Sequence, residues 1–111
     1  MYARIARFKG GDVDRIDEQV AEMRGQIERT RAGGLPADAP EELRTLTETV
    51  SRFVELVDRQ SGASLGISFC KTEDDMRRAD EALNRMSPPD ESGGRRTSVE
   101  IYEVVLDESF G

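Results

Sequence analysis

The stretch from Arg52 to Cys70 reads as two strands folded on a turn. Phe53, Val54, Leu56 and Val57 make one apolar arm, and Leu65, Ile67, Phe69 and Cys70 make the other. Between the arms, Asp58, Ser61 and Gly62 supply turn chemistry. Gly62 is free to take a positive φ. A short hairpin forces antiparallel pairing, so the rest of the chain must be arranged around this two-stranded unit.

The N-terminal flank begins with a strand over residues 2–8, ended by Lys9, Gly10 and Gly11. Asp12 is placed to cap a helix. Val13, Ile16, Val20, Met23 and Ile27 then recur in steps of three and four, which predicts one apolar helical stripe running to about residue 31. Gly33 and Gly34 stop that helix, and Pro36 follows. Pro40, Glu41 and Glu42 suit the first turn of a short helix over about 40–47, with acids at the positive dipole end. The alternative is one continuous helix through residue 57. It is disfavoured by Thr45, Thr47, Thr49, Val50, Val54 and Val57, which are stiff in helices and at home in strands.

The hairpin strands are expected at about 50–58 and 63–71. Thr72 is a good N-cap, and Asp75 completes an acidic version of the capping box. The helix it starts, over 73–86, carries Met76, Ala79, Leu83 and Met86 on one face. Residues 87–96 are rich in breakers and read as a flexible loop. A last strand is expected over 97–106, followed by a tail.

This order predicts a single α+β domain over residues 1–111, with 32–49 as an insert. Its class is the ferredoxin-like βαββαβ fold, a four-stranded antiparallel sheet with both helices on one face. The expected strand order is 4-1-3-2, with the 2–8 and 63–71 strands central. The helix-free face should then alternate polar in a monomer. Instead Ala3 and Ile5 oppose Tyr2, Ala6 and Phe8, Val54 and Leu56 oppose Phe53 and Val57, and Tyr102, Val104 and Leu106 oppose Val99, Ile101 and Val105. Three of the four strands are apolar on both sides. A second layer is needed, and a two-fold copy of the same sheet supplies it, so a homodimer is expected.

Composition narrows the chemistry. The single cysteine excludes an internal disulfide framework and points to a reducing, cytoplasmic setting. No apolar run approaches the ~20 residues of a membrane span, and no secretory signal is expected at the N-terminus. The excess of 23 acidic over 16 basic residues argues against nucleic acid as a partner. Histidine and tryptophan are absent, which removes histidine acid–base catalysis, axial histidine ligation of haem and most zinc sites. No cofactor is expected.

Tyr2-Ala3-Arg4, the run from Leu56 through Asp58, Arg59, Gln60 and Ser61 to Gly62, Leu65-Gly66-Ile67-Ser68-Phe69, and Tyr102-Glu103-Val104 resemble the antibiotic biosynthesis monooxygenase (ABM)-like proteins of the dimeric α/β-barrel superfamily. The likeness spans most of the chain apart from about 32–49 and the 87–96 loop. It implies two ferredoxin-like subunits whose sheets form a barrel, with the helices outside. It also implies either a cofactor-independent oxygenase or a binder of a small hydrophobic, often aromatic, molecule. Related sequences often carry Trp where Cys70 stands.

The ligand-binding candidates are Tyr2, Arg4, Ser68, Cys70 and Tyr102. Arg4 and Arg7 should point to opposite faces of a central strand. A buried guanidinium needs a carboxylate, and Glu55, Glu100 and Glu103 are the strand acids available. Such an arginine is either an anion or enolate clamp or half of a structural ion pair. Tyr2 and Tyr102 either present phenols to a pocket or pack in a core. Cys70 reads as an inert buried thiol, since no residue nearby in sequence lowers its pKa. Ser68 has no base partner for nucleophilic work. Asn84 and Arg85 either reach a cavity mouth or, the default reading, form a solvated helix end. Glu73, Asp74 and Asp75 suit a helix start better than a calcium loop. Two function classes therefore stand open: an oxygenase, and a non-catalytic dimeric module that binds a ligand or another protein.

Overall fold

The computed structural model describes residues 1–86 and 94–111. Four strands, β1 (Tyr2–Lys9), β2 (Val50–Val57), β3 (Ser64–Cys70) and β4 (Arg95–Glu103), form one antiparallel sheet, and three α-helices accompany it. The order across the sheet is β2-β3-β1-β4. The order 4-1-3-2 names the same neighbours counted from the opposite edge. This α+β arrangement is consistent with a ferredoxin-like fold.

The hairpin turn forms where its chemistry required. The Asp58 carboxylate accepts the backbone N–H groups of Gln60 (2.9 Å) and Ser61 (3.4 Å), and the Asp58 carbonyl accepts from Gly62 at 2.9 Å. Gly62 takes φ 79°, and a side chain there would run into the Gly11 carbonyl oxygen. The Gly11 N–H in turn donates to the Gly62 carbonyl at 3.2 Å, tying the end of β1 to the hairpin.

Asp12 caps a short 3-10 turn, Val13–Arg15, through its bond from the Asp14 N–H. The helix α1 (Ile16–Gly33) follows and ends at Gly34, φ 74°. Helix α2 (Glu41–Thr49) is longer than the predicted 40–47. Its threonines are accommodated because Thr47 and Thr49 donate their hydroxyls back to the carbonyls of Arg44 (2.8 Å) and Thr45 (2.7 Å). Thr72 caps α3 (Glu73–Arg85) by accepting from the Asp75 N–H at 3.1 Å.

β4 is shifted toward the N-terminus of its predicted span, starting at Arg95 opposite Lys9 and ending at Glu103. The strand predicted over 97–106 is corrected accordingly. β1 gives pairing partners as far as Tyr2. One further bond, Val104 N–H to the Met1 carbonyl at 2.8 Å, closes the ladder. Val105, Leu106 and Phe110 lie beyond it, exposed. Of the predicted loop over 87–96, residues 87–93 lie outside the described residues.

Helix α3 lies against β1, β3 and β2, and α2 packs on α3. The core between them is Cys70, Met76 and Ala79, flanked by Tyr2, Leu46 and Val50. Helix α1 stands farther out. Ile16 is its one buried residue, while Met23 and Ile27 are exposed. No helix among the described residues is long and apolar enough to cross a membrane.

Strand register assigns the faces. Tyr2, Arg4 and Ala6 share the α3 side with Cys70, Ser68 and Gly66. The opposite face carries Val54 and Leu56, then Leu65, Ile67 and Phe69, then Ala3 and Ile5. This block spans three adjacent strands, and no helix among the described residues covers it. Its border is polar. Arg7 pairs with Glu100 at 2.7 Å, Tyr102 donates to the same carboxylate, and Arg52 lies 5.8 Å from the Phe69 ring centre.

Candidate functional site

Arg4 is the most deeply buried charged residue of the sheet, 3 % exposed. It occupies a central strand, faces α3 and cannot reach the rim. Its Nε donates to Asp80 Oδ1 at 2.8 Å and its Nη2 to Asn84 Oδ1 at 3.0 Å. Asp80 and Asn84 stand one turn apart on α3, so a single helix face presents both acceptors to β1. The partner of the buried arginine is thus a helix acid, not one of the strand acids Glu55, Glu100 or Glu103. Glu100 instead serves Arg7 on the other face. Glu55 lies on the α3 side of edge strand β2, where burial pushes its carboxyl up.

Beside this pair opens a groove of about 610 Å³ between α3 and β4. Asp80 and Asn84 form one wall. Arg96, Thr97, Ser98, Val99 and Ile101 form the other. A bulge helps to shape it: Arg7 pairs with Ser98 but Phe8 pairs with Arg96, which leaves Thr97 as the extra residue. Arg96 reaches across and donates to Asn84 Oδ1 at 3.0 Å, the same oxygen that Arg4 uses. Ile101 remains 46 % exposed, an apolar surface facing open space.

The five sequence candidates divide. Arg4 and Ser68 are direct cross-strand partners, and both are buried. Tyr2 and Cys70 are the next such pair on that face, but they belong to the filled core with Met76. Burial pushes the Cys70 thiol up, and the Asp75 carboxylate adds to the effect. Tyr102 lies on the opposite sheet face, 52 % exposed, its hydroxyl on Glu100 and its acidity lowered by that bond. The two tyrosines therefore do not share a pocket.

Asp80, Arg96, Val99 and Ile101 were not singled out from the sequence. One signal was available for Asp80: it falls beside Ala79 and four residues after Met76, a charge set into the apolar stripe of its helix. Comparison with protein-family models found no match, and comparison with curated proteins found none.

Proposed function

We propose that the protein is a homodimeric, ABM-like binding module of the dimeric α/β-barrel kind, holding a small molecule with an apolar body in the groove between α3 and β4. The observation that carries the binding reading is the groove itself. It has the volume usual for small-molecule sites, it has an apolar strip in Val99 and Ile101, and one fixed polar cluster lies at its side. Dimerisation draws its support from the apolar block of Val54, Leu56, Leu65, Ile67, Phe69 and Ile5 on the helix-free face, partly exposed and most open at Leu56, which a second sheet would cover.

Binding is favoured over oxygenase turnover. Forming a substrate carbanion requires a proton acceptor at the bound molecule. Asp80 is the one carboxylate among the described residues lining the groove, and it is engaged by Arg4. Native mass spectrometry of the purified protein tests the reading. A dimer carrying a small-molecule mass increment supports it, and Val99→Trp, which fills the groove, should remove the increment without removing the dimer. A protein that carries nothing and binds no member of an aromatic fragment set would overturn it.

A further inference from the structure

The polar cluster beside the groove has more positive charge than its pairing uses. Arg4 and Arg96 both converge on it, and Asp80 is the single carboxylate among the described residues that line the groove. Asn84 is neutral. Its side-chain oxygen accepts from both guanidinium groups, which fixes the orientation of the amide: two donors require the oxygen, so the Nδ2 group points away from them. Among the described residues Nδ2 has no partner, and only one N–H of Arg96 is occupied. The donors left over, on Arg96 and Asn84, sit next to the uncovered apolar surface of Ile101.

We propose that the groove selects a monoanionic carboxylate with an aromatic or branched aliphatic body. The carboxylate would take the fork of Arg96 and the Asn84 amide, and the body would lie on Val99 and Ile101. Planar guanidinium donors match a carboxylate two bonds at a time. Among the described residues, two cations against one fixed anion leave a single positive charge to neutralise, which suits a monoanion better than a phosphate dianion. Since the whole chain carries a net charge of −7, attraction comes from these local contacts and not from long-range steering.

This proposal rests on the groove being a binding site, and the experiment separates the two ideas. 2-Naphthoate, its neutral isostere 2-naphthamide and inorganic phosphate are titrated into the full chain, with amide shifts of α3 and β4 followed by NMR. The carboxylate should bind at least ~10-fold more tightly than the amide. Arg96→Gln should erase that ratio, and Arg96→Lys should keep part of it. Arg96 is exposed, so both variants should retain the wild-type circular dichroism. Equal binding of carboxylate and amide, a ratio unchanged in Arg96→Gln, or phosphate binding as tightly as naphthoate would overturn the carboxylate proposal and leave the groove as a site. Binding of neither aromatic compound would overturn the binding reading as well.

Discussion

Replacing Asp80 by Ala should destabilise the protein far more than its place on a partly exposed helix face suggests. The substitution leaves the Arg4 guanidinium, 3 % exposed, without its carboxylate. Breaking a fully buried ion pair by removing one partner costs ~3–5 kcal/mol. Two features reduce that here. The Asp80 side chain is 28 % exposed, so water can enter its place, and Asn84 still accepts from Arg4 at 3.0 Å. The expected loss is therefore about 2–3 kcal/mol. Asp80→Asn keeps a neutral acceptor and should lose about 1 kcal/mol. Arg4→Met removes the buried charge itself and leaves a carboxylate that water can reach, at a loss of about 1 kcal/mol. Combining Arg4→Met with Asp80→Ala should then be milder than Asp80→Ala alone. Urea unfolding at fixed protein concentration measures all four variants, and Asp80→Ala should lower the midpoint by about 1.5 M. A loss below about 0.5 kcal/mol for Asp80→Ala, the range of ordinary surface substitutions, would refute the claim that Arg4 depends on Asp80.

Other consequences follow from the turn and the core. Gly62→Ala should cost clearly more than Gly10→Ala in the same unfolding assay. Both positions have positive φ, at about 1 kcal/mol for an alanine, but only Gly62 is also blocked by the Gly11 carbonyl. Cys70, fully buried, should resist a disulfide reagent in the native state and react promptly in urea. Its thiol is pushed up on folding, so the native state keeps its proton where the unfolded chain has begun to lose it. The Cys70 contribution to stability should therefore be complete below the ordinary thiol pKa and decline as pH rises through it. Cys70→Ala should flatten that alkaline decline, as read from stability measured across pH.

The hairpin and the helix starts were legible because they depend on neighbours in sequence. Asp58 and Gly62 close a turn within five residues, and Asp12 and Thr72 cap helices through bonds reaching no farther than three residues. The end of α2 was less legible, since β-branching argued against continuing the helix to Thr49 until its hydroxyl found the Thr45 carbonyl one turn back. That one of Arg4 and Arg7 would be buried followed from their central strand, but which one, and its partner, did not. Asp80 lies 76 residues away, and it meets Arg4 only through the rotation of α3 about its axis. Tyr102 shows a related limit. Its face depends on the register between β1 and β4, where Tyr2 opposes Glu103 and places Tyr102 opposite Ala3. The Thr97 bulge that helps to shape the groove is announced by no turn residue in β4.

The uncovered apolar face is the feature on which the assembly rests, and Leu56, 48 % exposed on it, is its most accessible aliphatic residue. Sedimentation velocity at micromolar concentration, on the wild type and on Leu56→Lys, tests that face most directly. The wild type should sediment as a particle of twice the 12.4 kDa subunit mass, and the Leu56→Lys chain should keep its circular dichroism but sediment as a monomer. A monomeric wild type, or a Leu56→Lys chain that remains dimeric, would contradict dimerisation through this face.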